Sequence, residues 1–114
     1  MENALETKSF QFAVRIVKLN KYLCENKQAY TLSNQILDSG TSIGANVSEA
    51  QQAQSRADFV SKLSIALKEA AETDYWLRLL HATEYISKQE FVSLIEDCRE
   101  LERLLTAILK STKP

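Results

Sequence analysis

The sequence predicts an all-α protein folded as an antiparallel, up-down-up-down four-helix bundle. Two observations predict this class. The 114 residues include two glycines and one proline, which are too few for a fold rich in tight turns. Apolar residues also recur at steps of three and four in four segments separated by short breaks. Because short connections place consecutive helices antiparallel, we expect one bundle domain over residues 1–114.

The first two helices are predicted over residues 9–25 and 32–53. Helix 1 has an apolar face made of Phe12, Ile16, Leu19 and Leu23, widened by Phe10, Ala13 and Val17. Thr31 or Ser33 is the expected N-cap of helix 2. Helix 2 also contains Gly40 and Gly44, each of which costs about 1 kcal/mol relative to alanine, so we expect a neighbouring helix to approach closely there.

Helices 3 and 4 are predicted over residues 56–82 and 88–111, and both begin with a capping signal. Ser55 precedes Asp58 by three positions, and Ser87 precedes Glu90 by the same spacing. At 1.5 Å per residue, helix 3 would be roughly 40 Å long.

Helix 3 carries more apolar surface than one bundle can cover. On a helical wheel, four large residues lie to the side of or opposite its core seam: Ile65, Tyr75, Trp76 and Leu79. We predict that they form a subunit interface of a homo-oligomer. In the alternative interpretation, Ile65 and Trp76 only widen the core of the single chain.

Composition excludes most catalytic chemistry. The chain has one histidine and two cysteines far apart, and it lacks a glycine-rich phosphate loop and a cluster of metal ligands. Glu69 and Glu72 lie three residues apart, but no Glu-x-x-His motif accompanies them. We therefore predict no enzyme activity, cofactor, metal site or small-molecule substrate.

The chain is expected to be cytoplasmic. Its first residues are acidic rather than typical of a secretory signal, and no stretch of 18 apolar residues occurs. A membrane partner is therefore not expected. Cys24 and Cys98 are expected to be reduced and packed in the protein interior.

A polar series follows the apolar seam of helix 2. It consists of Gln35, Ser39, Ser42, Asn46 and Glu49. These groups are either a binding constellation or hydrogen-bonded contacts between helices or subunits, and the second interpretation is favoured.

Basic residues on helix 1 are candidates for nucleic-acid binding. Residues 1–28 contain five basic and three acidic side chains, although the whole chain has a net charge of −1. Lys8, Arg15 and Lys18 share the polar face of helix 1, where they could contact phosphates. Several copies in a ring would multiply this weak patch.

Three segments resemble the 23S rRNA intervening-sequence protein family. They are residues 32–36 (LSNQI), 42–50 (SIGANVSEA) and 59–77 (FVSKLSIALKEAAETDYWL). Ala50 departs from this pattern, which commonly has glycine there. Ser42, Asn46 and Glu49 match the helix 2 motif of the family at positions without an assigned role.

The resemblance implies a small bacterial four-helix bundle that assembles as a homopentameric barrel. Some members are encoded within insertions in rRNA genes. Related bundles are accessory proteins of retroelements that bind a reverse transcriptase and nucleic acid. The leading hypothesis is thus a non-enzymatic oligomeric adaptor whose partners, besides itself, are structured RNA or a nucleic-acid-handling protein. The alternative is a protein-binding scaffold without a nucleic-acid role.

Overall fold

A computed structural model of the protein describes residues 3–112. These residues form four helices and no strand, which confirms the all-α prediction. The helices are α1 (Ala4–Lys27), α2 (Tyr30–Ala50), α3 (Arg56–Ala82) and α4 (Lys88–Thr112). Residues 1–2 and 113–114 of the predicted domain lie outside the described residues.

Side-chain contacts between neighbouring helices show that the four helices run antiparallel. Asn20 of α1 bonds Ser33 near the start of α2, and Glu49 near the end of α2 pairs with Lys62 near the start of α3. Arg99 of α4 pairs with Asp74 of α3. Consecutive helices pack most extensively, α1 and α4 are in less contact, and the diagonal pairs α1–α3 and α2–α4 do not touch within residues 3–112.

The helix ends depend on which side chains cap them. α1 begins five residues before the predicted start because the Asn3 side chain accepts a hydrogen bond from the Glu6 amide at 2.8 Å. α2 begins at Tyr30 without a side-chain cap, so the proposed caps Thr31 and Ser33 are wrong. Ser33 is buried inside the helix, where it bonds Asn20 instead.

The two predicted capping signals are confirmed. Ser55 accepts a hydrogen bond from the Asp58 amide, and α3 covers the predicted range. Ser87 and Glu90 form a reciprocal capping box, each side chain accepting from the other's amide at 3.1 Å.

Both glycines of α2 face α1 at close range, as the sequence predicts. A Cβ atom on Gly40 would lie 2.8 Å from Cγ1 of Ile16, and one on Gly44 would lie 3.2 Å from the backbone oxygen of Ser9. Since real Cβ atoms are not found as close as 2.8 Å, the absence of a side chain at Gly40 lets α1 pack directly on α2.

The predicted width of the apolar face of α1 is wrong. Phe12, Ile16 and Leu23 are buried as expected, but Phe10 is 69% exposed and Val17 is 40% exposed. Phe10 lies two residues, or about 200°, from Phe12, so it points away from the core. These side chains instead form part of an outer apolar surface.

None of the helices in residues 3–112 has a stretch long and apolar enough to cross a membrane.

Candidate interaction surfaces

The predicted basic patch on α1 is largely neutralised within the chain. Lys8 Nζ lies 3.0 Å from Oε2 of Glu100, and Arg15 lies 2.6 Å from Oδ2 of Asp97. Arg15 also donates to the hydroxyl and the backbone oxygen of Ser93. Two of the three predicted phosphate ligands therefore join α1 to α4.

Lys18 is the member of the patch that stays available. It is exposed and forms no ion pair with the described residues. With Arg15 and Tyr22 it lines a shallow groove of about 380 Å³ between α1 and α4. Lys8 is not part of this groove. The structure thus brings Arg15 and Lys18 together and places Lys8 about two turns away.

The outer surface formed by Ile65, Tyr75, Trp76 and Leu79, termed the α3 face, is partly exposed. Tyr75 is 50% exposed and Ile65 is 40% exposed, whereas Trp76 and Leu79 are half-buried. The Trp76 ring packs edge-on against Tyr75 at 5.2 Å between centroids, and its Nε1 lies 3.4 Å from Glu72. Trp76 also packs against the core, which agrees with the alternative interpretation of this residue. Its place in a subunit interface stays a prediction.

A second apolar surface, which the sequence did not predict, lies between α1 and α2. Phe10, Val14 and Val17 follow one another along α1 at steps of four and three, and all are at least 40% exposed. Beside them is a groove of about 790 Å³. The groove, termed the α1–α2 groove, is lined by residues that include Phe10, Ala13, Thr41, Gly44, Ala45 and Ser48. The signal available in the sequence was the angular position of Phe10, opposite the core seam.

The polar series of α2 consists mainly of contacts within the bundle. The Ser39 hydroxyl is buried 2.9 Å from that of Thr73 on α3. Ser42 donates to the backbone oxygen of Asp38, and Asn46 donates to that of Ser42. Glu49 pairs with Lys62 of α3 at 3.1 Å. These partners account for four of the five residues without a ligand, and the fifth, Gln35, is exposed.

An ionic cluster centred on the buried carboxylate of Asp74 joins α3 to α4. Both carboxylate oxygens of Asp74 are occupied, one by Arg78 at 2.9 Å and the other by Arg99 at 3.0 Å. The i,i+4 pair with Arg78 agrees with the spacing in the sequence. Arg99, Cys98 and Glu102 come from α4, and the sequence did not indicate them because the register of α4 against α3 was unknown.

The cluster shifts the pKa values of its acids in opposite directions. Burial and a hydrogen bond with Asp74 raise the pKa of Glu102 to about 7. Burial also acts to raise the pKa of Asp74, but hydrogen bonds from Arg99, Glu102 and Arg78 outweigh it, so the Asp74 pKa is lowered. Asp74 is therefore ionised at neutral pH, and Glu102 is partly protonated.

Asp74, Cys98 and Glu102 also offer three possible metal ligands within 4.8 Å of one another. Their chemistry does not suit a cation. Both Asp74 oxygens already accept from arginines, and burial raises the pKa of the Cys98 thiol far above its usual value, so the thiolate that binds metals is disfavoured. The cluster is better described as an internal ion-pair network.

The one histidine and the two cysteines of the chain make contacts within the bundle. His81 stacks on Phe91 with ring centroids 4.4 Å apart. Cys98 is fully buried and donates to the backbone oxygen of Ala70, and Cys24 lies half-buried near Ser33. Both cysteines are free thiols.

Comparisons with known proteins agree on one family. A model of the 23S rRNA-intervening sequence protein family matches residues 2–107. A crystal structure of a protein of unknown function from the S23 ribosomal protein family of Bacteroides thetaiotaomicron VPI-5482 is similar at a TM-score of 0.93 and 55% identity. The match covers 94% of this chain and 99% of that one. No curated protein matches the sequence.

Proposed function

Because this chain belongs to the 23S rRNA-intervening sequence protein family, we propose that it is a non-enzymatic, homo-oligomeric helical bundle that acts in the cytoplasm as an adaptor for RNA or a ribonucleoprotein. The observation that carries the proposal is the pair of apolar surfaces on opposite parts of the bundle. Monomeric soluble proteins rarely expose large contiguous apolar patches, and such patches commonly mark binding sites for other proteins.

Self-association is the first part of the proposal. Phe10, Val14 and Val17 on α1, and Tyr75 and Ile65 on α3, are all at least 40% exposed in the single chain. Burying such side chains would stabilise an assembly by about 25 cal/mol per Å² of apolar surface, before the cost of association is subtracted. The assembly that the family resemblance favours is a homopentamer.

Native mass spectrometry tests this part directly. The expected result at micromolar concentration is a single species with five times the mass of the chain. A protein that remains monomeric under these conditions would rule out the oligomeric adaptor.

RNA association is the second part of the proposal. Lys18 is the exposed cation of the α1–α4 groove, and Tyr22 beside it offers a ring on which a base could stack. One such site per chain is weak, but a ring presents it several times to one ligand. The assembly therefore allows RNA binding by a chain whose net charge is −1.

The test is the salt dependence of binding to a structured RNA, with Lys18→Glu compared against wild type. We expect binding to weaken steeply with salt. Lys18→Glu should weaken RNA binding further. It should also reduce the slope of log binding constant against log salt concentration by about 1 for each phosphate that the lysine no longer neutralises. Lys110→Glu is the matched control, since it makes the same charge change on an exposed residue of α4 outside this groove. Equal effects of the two variants, or no binding at low salt, would contradict an RNA site at Lys18.

A protein-binding scaffold is the second candidate, and one observation favours it. Lys8 and Arg15 are already paired with Glu100 and Asp97, so less positive charge is free than the sequence suggests. An affinity purification from the source cells, divided into portions with and without ribonuclease, distinguishes the candidates. Partners that are retained after RNA is degraded support the scaffold, and partners that disappear with the RNA support the adaptor.

A further inference from the structure

The two apolar surfaces of the chain have opposite shapes. The α1–α2 groove is a concave surface of about 790 Å³ whose α2 side is formed by small residues such as Gly44 and Ala45. The α3 face projects the large rings of Tyr75 and Trp76, which pack edge-on against each other. Small residues on one helix let a neighbouring helix approach closely. Bulky side chains of that neighbour can then fill the space above the small residues.

The α3 face and the exposed stripe of α1 that runs beside the groove also have similar lengths. Phe10, Val14, Val17 and Lys21 extend along α1 at steps of four, three and four. Phe10 and Lys21 are eleven residues apart, as are Ile65 and Trp76 on α3, so each stripe is about 16 Å long. Two helices packed side by side could therefore match these stripes from end to end.

The charges beside the two surfaces are complementary. Exposed Lys21 continues the stripe of α1, and exposed Lys18 lies near it. Glu72 lies on the α3 face, and Glu69 lies next to it. Partial burial is the largest cause of the raised pKa of Glu69; the charges of Glu72 and Asp38 add to it, and the charge of Lys68 opposes it.

We propose that the α1–α2 groove of one copy of this chain, together with the exposed stripe of Phe10, Val14, Val17 and Lys21 beside it, receives the α3 face of the next copy, with Lys21 placed against the acidic residues near Trp76. This inference rests on the proposed homo-oligomer and specifies its contact. Because α1 and α3 lie on different sides of the bundle and do not contact each other, one such contact leaves a groove and an α3 face free, so the contact is heterologous. Its repetition by rotation forms a ring of copies when the rotation closes. Such a ring leaves no copy with an uncovered groove.

Cysteine cross-linking tests which surfaces meet. Both variants carry Cys24→Ser, and the Val14→Cys chain and the Ile65→Cys chain have tags of different size. Each variant is expressed alone, and the two are also co-expressed. All three samples are then mildly oxidised. The remaining Cys98 is fully buried. We expect a cross-linked dimer only in the co-expressed sample, containing one chain of each kind. A chain carrying both substitutions should give a ladder that ends at the size of the ring.

The control pair is Glu96→Cys with Ile65→Cys, because Glu96 is an exposed residue of α4 outside both surfaces. We expect no cross-link from this pair. Efficient dimers of Val14→Cys alone would overturn the proposal in favour of a symmetric contact. An oligomer in native mass spectrometry with no cross-link between residues 14 and 65 would overturn this contact and leave the homo-oligomer standing.

Charge exchange gives an independent test. Lys21→Glu and Glu72→Lys should each weaken assembly by about tenfold in dissociation constant, because like charges then face each other. The double variant Lys21→Glu/Glu72→Lys should recover most of the affinity. If the losses of affinity of the two single variants add in the double variant, Lys21 does not contact the α3 face and the proposal is overturned.

Discussion

The seam between α1 and α2 and the seam between α3 and α4 hold their helices together by different means. At the first seam, Gly40 lacks a side chain where Ile16 packs, and residues 3–112 provide no ion pair between the two helices. At the second, Asp74 binds two arginines, and Glu102 lies next to it. Shape fixes one seam, and charge contributes to fixing the other.

This difference bears on function. The α1–α2 seam leaves small and apolar residues on its outer side, so that side is suited to covering by another helix. The α3–α4 seam instead contains the ionic cluster in which Asp74 pairs with Arg78 and Arg99. The half of the bundle fixed by shape therefore carries the exposed stripe of Phe10, Val14 and Val17, and the half fixed by charge should respond to pH. All of the following stability measurements use one protein concentration, since assembly is linked to folding.

Filling the space at Gly40 should have the largest effect. Gly40→Val places a branched side chain within contact of buried Ile16, and overpacking of this kind costs typically about 1–3 kcal/mol. We expect a loss near the upper end in urea unfolding. Asn34→Val, an exposed position on the same helix, is the control and should cost under about 1 kcal/mol. Equal losses would mean that close packing does not fix this seam.

Removing the charge of Asp74 should have the next largest effect. Asp74→Asn keeps the shape but weakens the bonds to Arg78 and Arg99. Both arginines are half exposed and can be solvated, so we expect a loss of about 1–2 kcal/mol rather than the full cost of a broken buried pair. A loss no greater than that of Arg78→Ala would indicate that Arg99 adds nothing to the seam.

Glu102 should make stability depend on pH. Because its pKa in the folded protein is about 7, above the usual 4.5, the folded state binds the proton more tightly than the unfolded state. Its contribution is complete below about pH 4.5 and is lost as the pH rises through about 7. Asp74 acts in the opposite sense, and its contribution is lost only in more acidic solution, below its usual pKa.

Glu102→Gln should therefore flatten the stability profile between about pH 5 and 8 and make the protein more stable than wild type at the upper end. The expected gain is about 1 kcal/mol, since Glu102 is only partly buried and solvent screens its interactions. Urea unfolding across this range measures it. A parallel pH profile for wild type and variant would show that another group is responsible.

The surface pairs between α1 and α4 should contribute least. Arg15→Ala removes a pair with Asp97 in which both side chains are more than a third exposed, so we expect a loss of about 0.5 kcal/mol. The loss should shrink in high salt. Thermal unfolding at low and high salt tests this, and a loss above about 2 kcal/mol would place α1–α4 among the main seams.

The helical class could be read from the sequence because spacing and capping are local properties. Ser55 and Ser87 mark their helix starts within one turn, and Gly40 already indicated a close approach. The functional surfaces depend on how helices are rotated and aligned. The sequence could not show that Glu100 and Asp97 face Lys8 and Arg15, or that Arg99 reaches Asp74, because these partners are at least 25 positions apart.

The assignment of Phe10 and Val17 to the core failed for a related reason. Apolar residues on both sides of α1 produce overlapping periodicities, and the wheel alone does not say which side faces α2. Once Phe12 is assigned to the core, the position of Phe10 about 200° away is the sequence signal for the outer stripe. In the structure, the exposed fraction of the side chain identifies Phe10 as a surface residue, since Phe10 is 69% exposed.

The central claim is that the exposed apolar residues of α1 are covered by another copy of the chain. Sedimentation velocity of wild type and Phe10→Glu/Val17→Glu at micromolar concentration, with helical content checked by circular dichroism, tests it most directly. We predict a wild-type oligomer that the double variant converts to folded monomers. A wild-type monomer, or a variant that sediments as the wild-type oligomer does, would contradict the claim.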